Sequence, residues 1–363
     1  MTKAAELAKM GEVLTNSQIS GRRNIVINGA MQVAQRATSA TGIGANNGVY
    51  PTLDRMKIVT LNSAGRLTMT QTADGPSGFA NCLKFDCTTA DTSVAAGEIF
   101  VLQTGFEGQD LQQIKKGTSD AEKVTVSFYV KGNANATYGV ELEDGDNNRY
   151  NSQAFSVTTD WTRVTKTFAA DTTGAFGDDN ALSLSLNFWI HGGTTYSGGT
   201  HAENTWHTTA NQRMVNSATS FFDSTNRTFF ITGIQMEVGS VATPFEHRSF
   251  GEELAMCQRY FRKIIGECTV GAGVWYLANQ PLGSMEFAPT RANPTMAVSS
   301  ADALKCYGNN YARDGNDTSC FDLANAQGFA RFNFTPGSNG TAGDGATFQI
   351  TDTDEFITID AEL

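Results

Sequence analysis

The pattern of apolar and polar positions along the chain predicts short strands separated by turns. Residues 229–238 are the clearest case, because Phe230, Thr232, Ile234, Met236 and Val238 alternate with Phe229, Ile231, Gly233, Gln235 and Glu237. Both sets contain apolar residues, which is typical of a strand inside a sandwich rather than at its rim. Gly239 and Ser240 end the strand, and Pro244 excludes a helix across the connector. Ser249 followed by Glu252 then predicts a capping box, so this stretch closes one β unit and begins a helix.

Similar alternation recurs along the first 190 residues, with turn signals between the segments. The other predicted strands are residues 66–71, 82–87, 99–106, 124–132, 137–146, 161–168 and 182–190. Residues 24–35 predict a strand, an Asn-Gly turn and a second short strand. This regular spacing favours an all-β jelly-roll sandwich over βαβ units. Residues 192–228 are a long polar loop, and loops of that length are often functional.

Outside this sandwich the chain contains three further predicted parts. Residues 1–20 form a short amphipathic helix whose apolar stripe includes Leu7, Met10, Val13 and Leu14. A helix this short is marginal alone, so it packs on its own domain, on symmetry mates or on another protein. Residues 250–262 form a connecting helix. Residues 263–363 form a second, smaller β domain, since 363 residues are long for one domain.

Charge and cysteine content exclude several classes of partner. The net charge is -11 and the pI is about 4.9, with no basic stripe, so neither nucleic acid nor an anionic membrane surface is expected as a partner. The six cysteines are expected to be reduced thiols, and Cys82 and Cys87 would face opposite sides of one strand. The sequence contains no apolar run of 18 residues, so membrane insertion is not predicted, and it contains no recognisable secretory signal.

Catalytic and metal sites find little support in the residue pattern. His191, His201 and His207 fall close together in sequence, but a polar loop does not bring ligands into a metal geometry, so no metal site is predicted. The acidic stretch 143–148 lacks the glycine and glutamate of a calcium loop and is predicted to be a hairpin turn. No nucleophile elbow, P-loop or dinucleotide fingerprint occurs, so the protein is not expected to be an enzyme.

Several segments carry a resemblance to a known family. The stretches NIVINGAMQVAQR, VTVSFYVKG, WTRVTKTF and, most specifically, ATPFEHRSFGEELAMCQRYF resemble a module of phage structural and tail-fibre proteins, over roughly residues 21–261. More distantly, this module is similar to jelly-roll carbohydrate-binding modules. Those modules often hold a structural calcium through acidic residues of their first and last strands. Gln32 and Gly233 stand at those positions here, so calcium is not expected and no cofactor is predicted.

The resemblance implies a virion protein, made in the host cytoplasm, that attaches to the host surface by binding glycans. It further implies a homotrimeric fibre whose residues 1–20 dock on other virion proteins, and the closing residues DAEL are similar to those of a distal β domain in such fibres. A second hypothesis stays open: a head fibre, decoration or tail-adaptor protein that serves assembly without binding a receptor.

A glycan site needs exposed aromatic faces beside polar side chains. The candidates are Tyr50, Tyr196, Trp206, Trp275 and Tyr276, although Trp206 and Trp275 could instead be core or subunit contacts. Trp161 and Trp189 lie within predicted strands and are expected in the core.

Overall fold

Antiparallel strand pairs make up most of the regular secondary structure in the described residues. The computed structural model describes residues 3–4, 23–46, 48–308, 311–314, 320–333, 336 and 340–363. The chain divides into two units, Met1–Glu253 and Leu254–Leu363. The fold is all-β, as predicted, with a jelly-roll sandwich in the first unit. The predicted N-terminal stripe of Leu7, Met10, Val13 and Leu14 lies outside the described residues.

The first unit consists of two six-stranded antiparallel sheets. Sheet I contains, in spatial order, β1 (Ser39–Ile43), β4 (Arg66–Thr72), β5 (Cys82–Thr89), β12 (Thr228–Val238), β7 (Val124–Gly132) and β10 (Thr162–Phe168). Sheet II contains β2 (Gly48–Val49), β3 (Lys57–Leu61), β6 (Ile99–Glu107), β11 (Leu182–Gly192), β8 (Ala136–Asp144) and β9 (Arg149–Val157). Each strand predicted from alternation between residues 66 and 238 has a counterpart in one of these sheets.

Aromatic side chains fill the space between the two sheets. Phe85 of sheet I meets Phe100 of sheet II edge to face, with ring centroids 5.0 Å apart. Phe128 and Phe188 make the same kind of contact at 4.9 Å. These rings are fully buried or nearly so. Edge-to-face pairs add to the free energy of burial, so they hold the two layers together.

Strand β12 lies in the middle of sheet I, between β5 and β7, as its two apolar faces predict. Its register against β7 shifts between Thr232 and Gln235. Gly233 lies in this irregularity with φ +63°, and a Cβ there would come within 2.7 Å of the Phe79 ring and 2.9 Å of the Tyr129 ring. Only glycine suits this position, since the backbone is left-handed and the space is already filled.

The predicted strand–turn–strand at residues 24–35 is wrong, because this segment contains no strand. The side chain of Asn28 holds it instead. Its amide nitrogen donates to the carbonyl oxygens of Val33 (2.8 Å) and Asp54 (2.9 Å), and its oxygen accepts from the amides of Gln32 and Val33 (both 2.9 Å). An asparagine that bonds to nearby backbone groups offers an alternative to ladder pairing.

Arg248 joins residues 24–26 to residues 246–253 of the first unit. Its guanidinium donates to the carbonyl oxygens of Asn24 and Val26, the second at 3.1 Å, and forms ion pairs with Glu246 (3.4 Å) and Glu253 (3.5 Å). The amide of Asn24 in turn donates to Glu246 at 2.7 Å. We call this set of contacts the Arg248 clamp.

Two α-helices are present in the described residues. The first, α1, is a single turn at Thr194–Ser197. The second, α2, covers Phe250–Gln258 and begins with the predicted capping box: Glu252 accepts from the amide of Ser249 at 3.0 Å, and the hydroxyl of Ser249 accepts from the amide of Glu252 at 3.3 Å. The helix ends before the predicted residue 262, because a strand begins at Phe261. Short 3-10 helices are Gly108–Asp110, Gln112–Ile114, Ala210–Gln212 and Phe221–Asp223.

The second unit contains two further antiparallel sheets. The smaller sheet consists of β13 (Phe261–Ile265), β22 (Phe356–Asp360) and β16 (Thr295–Val298). The larger consists of β18 (Tyr311–Asp314), β17 (Leu304–Gly308), β21 (Gly345–Ile350), β14 (Cys268–Leu277), β15 (Gln280–Glu286), β20 (Phe329–Asn333) and β19 (Phe321–Asn325). Their core includes stacked rings of Phe332 and Phe348, 4.3 Å apart.

Two further sequence predictions concern cysteines and membranes. All six cysteines are thiols, and burial raises the pKa of Cys82 and Cys306 to about 12. Within the described residues, no helix has the length and apolar character needed to span a bilayer.

Candidate functional site

A row of polar side chains crosses the outer face of sheet II. Lys57 on β3 is in register with Gln103 on β6, Gln103 with Asn187 on β11, and Asn187 with Glu141 on β8. Their neighbours Leu102, Phe188 and Val140 are part of the sandwich core. Since successive side chains of a strand point to opposite faces, the four polar residues lie on the outside. We call Lys57, Gln103, Asn187 and Glu141 the polar row.

Hydrogen bonds connect three members of the polar row, Gln103, Asn187 and Glu141, across three strands. The amide of Gln103 donates to the Asn187 oxygen at 3.0 Å. The Asn187 amide donates to Glu141 at 3.0 Å and to Glu143 at 2.8 Å. Asn187 and Glu141 are buried, whereas Gln103 and Glu143 are half-buried. The buried pair therefore fixes the orientation of the two side chains that solvent can reach.

Arg213, from the long loop after β11, completes this network. Its guanidinium donates to both oxygens of Glu141 at 2.9 and 2.8 Å and pairs with Glu143 at 2.7 Å. Burial alone would lower the pKa of Arg213, but the charge and hydrogen bonds of Glu141 outweigh burial and raise it above its usual range. Two carboxylates and one guanidinium thus lie together at the β8 end of the row.

The long loop covers the β8–β9 end of the outer face. His207 forms an isolated bridge with Tyr150 on β9, and the Arg213 guanidinium lies 4.1 Å from the centre of the Tyr150 ring. Tyr196 packs on Trp189 with ring centroids 5.2 Å apart. Trp189 is buried, as predicted, but on the outside of sheet II beneath this loop rather than between the sheets.

The other end of the polar row stays open and carries an aromatic ring. Tyr50 follows β2, whose register places it next to Lys57. Its half-buried ring lies 5.1 Å from the Arg36 guanidinium and 5.7 Å from the Lys57 ammonium. Four strand spacings separate β2 from β8 in the order of the sheet, which is about 19 Å at 4.8 Å per strand. Since Asn187 and Glu141 are buried, the accessible part of this face presents the Tyr50 ring, the Lys57 ammonium, the Gln103 amide and, on β8, the Glu143 carboxylate.

The structure places the other predicted glycan-binding residues apart from this row. Trp206 is half-buried, donates to the carbonyl of Ala169 at 2.7 Å and packs against the core of the first unit. Trp275 is completely buried in the core of the second unit, so, contrary to the prediction, its ring cannot stack on a sugar. Tyr276 next to it is 61% exposed. Tyr196 is half-buried against Trp189.

Trp161 departs from its predicted place in the core. It precedes β10 and is half-buried on the outer face of sheet I. Its ring meets Phe230 edge to face, with centroids 6.2 Å apart, and its indole nitrogen donates to the carbonyl of Asp74 at 3.1 Å.

The three clustered histidines do not converge. His191 is buried between the Ser220 hydroxyl and the Glu98 carboxylate, at 2.8 Å from each. His201 contacts Glu203 at 3.0 Å, and His207 pairs with Tyr150. Among the residues that the structure describes, no group of three or more His, Cys, Asp or Glu side chains could hold a metal ion.

A lysine ammonium occupies the position in the first unit that most resembles a cation site. Lys116 is buried, with its Nζ 2.5 Å from Asp144 and 3.1 Å from Asp171. It also donates to the carbonyl oxygens of Thr173 and Gly174, both at 2.8 Å. We call these groups the Lys116 site. The predicted hairpin turn at residues 143–148 is confirmed by the β8–β9 pairing, in which Asp144 is in register with Arg149.

The polar row was not predicted, although the sequence contains a signal for it. In β8 the residues Glu141 and Glu143 alternate with Val140 and Leu142, and in β11 Asn187 alternates with leucine and phenylalanine. Such alternation indicates one polar face per strand. It does not tell that β8 and β11 are neighbours, nor that Arg213 from a distant loop lies above both.

Comparisons with known proteins give fold-level likenesses only. Neither the family models nor the curated proteins contain a match. A family 30 carbohydrate-binding module is 11% identical, with 64% of this chain and 97% of that one covered and a TM-score of 0.32. A family 11 carbohydrate-binding module from a cellulosomal cellulase of Clostridium thermocellum is 10% identical, with 58% of this chain and 98% of that one covered and a TM-score of 0.28. The enzymatically active domain of tailspike protein 4 from bacteriophage CBA120 is 11% identical, with 60% of this chain and 21% of that one covered and a TM-score of 0.29. TM-scores this low assign no function.

Proposed function

We propose that the first unit is a non-catalytic glycan-binding module and that the polar row, with Tyr50 at its open end, is the glycan site. The observation that carries this proposal is the hydrogen-bonded series Gln103–Asn187–Glu141, which orients accessible polar groups beside a half-buried ring. Sugars offer a C–H face for stacking and hydroxyl groups for hydrogen bonding, so such a surface complements them. From Tyr50 to β8 this face extends over about 19 Å, which suits an oligosaccharide better than a single residue.

The role in the particle is proposed on the sequence resemblance. We infer a phage virion fibre that attaches to the host cell surface, assembled as a homotrimer and docked on other virion proteins through residues 1–20. Its location is then the virion, after synthesis in the host cytoplasm.

Binding to an array of immobilised bacterial surface oligosaccharides tests the glycan proposal. Gln103→Ala and Tyr50→Ala should each weaken binding by about fivefold to tenfold, because each removes one hydrogen bond or one stacking face. Gln113→Ala is the matched control, since Gln113 is exposed and bonds only to the carbonyl of Asp110. A wild-type protein that binds no oligosaccharide, or variants that bind as well as the control, would refute the site.

Adsorption assays test the attachment role separately. Purified protein should compete with the phage for adsorption to its host cells, and Gln103→Ala should compete less well. If the protein binds glycans but never competes, the attachment role is wrong while the glycan site stands. Solution mass at micromolar concentration checks the trimer, and a monomer would contradict it. Deletion of residues 1–20 should abolish incorporation into particles if that segment docks.

A further inference from the structure

The outer face of sheet I carries a second row of side chains, on the opposite side of the sandwich from the polar row. The register of β10 on β7 places Trp161 opposite Lys131, Lys131 pairs with Phe230 on β12, and Phe230 pairs with Lys84 on β5. We call Trp161, Lys131, Phe230 and Lys84 the cationic row. Three strand spacings separate β10 from β5, which is about 14 Å.

Two ammonium groups lie over aromatic rings in this row. The Lys131 Nζ is 4.6 Å from the centre of the Phe230 ring and 5.3 Å from that of Trp161. The Lys84 Nζ is 5.6 Å from Phe230. The methylene stems of the two lysines can cover Phe230, which is only 8% exposed, while their charged ends stay near water. Trp161 at the end of the row is half-buried, with its ring anchored by the bond to Asp74.

The charges of the cationic row are paired weakly enough to exchange partners. Lys131 contacts Asp74 at 2.8 Å, and the Asp74 side chain is 55% exposed. Lys84 contacts Asp86 at 2.8 Å, and both side chains are about 30% exposed. Ion pairs between groups this accessible contribute little, so an incoming anion can replace either carboxylate. In a chain with a net charge of -11, these two lysines bring two ammonium groups together on one face, each beside one carboxylate that an anion can replace.

We propose that the cationic row is a second binding site, which takes a saccharide bearing an anionic group, either a carboxylate or a phosphate. The sugar ring stacks on Trp161, and Lys131 and Lys84 bind the anionic group. This site lies on the other sheet and does not depend on the polar row, so the first unit has two separate ligand surfaces.

Calorimetric titration of the full chain with paired probes tests the proposal. Galacturonate hexamer and its methyl ester share one skeleton and differ in charge, and mannose 6-phosphate and mannose form the phosphate pair. The charged member of at least one pair should bind more tightly than its neutral partner, and 500 mM NaCl should abolish most of that difference. Equal binding within both pairs, or no binding of either charged probe, would overturn the proposal.

Variants locate the site. Trp161→Ala should weaken binding of the charged probe about tenfold, Trp161→Phe should retain most of it, and Lys131→Gln should weaken it by up to about fivefold. Lys115→Gln is the control, because it also removes one positive charge from a half-exposed side chain, paired with Glu122 at 3.3 Å. Gln103→Ala in the polar row should leave this binding unchanged. The assignment would be overturned if the Trp161 and Lys131 variants bind the charged probe as tightly as the wild type does. It would also be overturned if the protein binds a thymidine dodecamer more tightly than the charged saccharide.

Discussion

Lys116 holds two buried carboxylates together, and its replacement should have a large effect on folding. In Lys116→Met the side chain keeps its length but loses its charge, which leaves Asp144 and Asp171 facing each other without the ammonium that now lies 2.5 and 3.1 Å from them. Arg149 still neutralises Asp171, at 2.7 Å, whereas among the described residues Asp144 keeps only hydrogen bonds from the neutral Asn147. Removal of one member of a buried ion pair typically costs about 3–5 kcal/mol.

Thermal unfolding of the full chain by calorimetry measures this loss. For a unit of some 250 residues, 1 kcal/mol corresponds to about 2–4 °C, so the transition of the first unit should fall by about 6–20 °C. Lys115→Met is the matched control. That lysine is the preceding residue, is half-exposed and pairs only with Glu122, so its loss should cost no more than about 0.5 kcal/mol.

A double variant separates charge from packing. Lys116→Met combined with Asp144→Asn restores the charge balance, because Arg149 then neutralises the one remaining carboxylate, Asp171. It should be more stable than Lys116→Met alone. If Lys116→Met unfolds within about 1 kcal/mol of the wild type, or if the double variant recovers nothing, then the ammonium is not what stabilises this site.

Three further predictions follow from the described contacts. Gly233→Ala should destabilise the first unit by about 2–5 kcal/mol in urea denaturation, because it combines a left-handed backbone with overlap of the Phe79 and Tyr129 rings; an effect below 1 kcal/mol would contradict this. Arg213→Gln should cost about 3 kcal/mol and should speed proteolysis within residues 193–219, since it leaves Glu141 buried without its cation; unchanged cleavage would refute the role of Arg213 in holding the loop. Burial lowers the pKa of His191 below 6.5, and Glu98 opposes this shift in part, so the stability that the neutral ring contributes is complete above pH 6.5 and is lost as the pH falls below it. The free energy of unfolding of His191→Gln should therefore depend less on pH between 7.5 and 5 than that of the wild type. Parallel pH profiles of the two proteins would show that His191 is not the group responsible.

Local sequence signals predicted those parts of the fold that local chemistry decides. Strand β12 and the capping box at Ser249 follow from alternation and from a polar pair three residues apart, and both are present. The prediction for residues 24–35 is wrong because Asn28 does not form an Asn-Gly hairpin turn and instead bonds to Val33 and to the distant Asp54. That second contact cannot be read from a window of neighbouring residues.

The candidate site was less predictable, because it depends on which strands are neighbours. Residue type alone predicts the aromatic candidates, and of these Tyr50 lies at the open end of the polar row. Trp275 is buried, while Trp161, expected in the core, is accessible on sheet I. Alternation shows that a strand has two faces, but it does not show which face a loop will cover, as the loop with Tyr196 covers Trp189.

The Arg248 clamp determines how the first unit would respond to a pulling force. The clamp fastens Asn24 to Glu253 through Arg248 and Glu246, and these two points are more than 220 residues apart in sequence. Tension between these two points therefore passes across the clamp and across the bonds that join Asn24 and Ile25 to Ile234 and Met236 of β12. Strands β1–β11 lie outside this path until these bonds break, so the ligand surface proposed on sheet II would keep its geometry under tension.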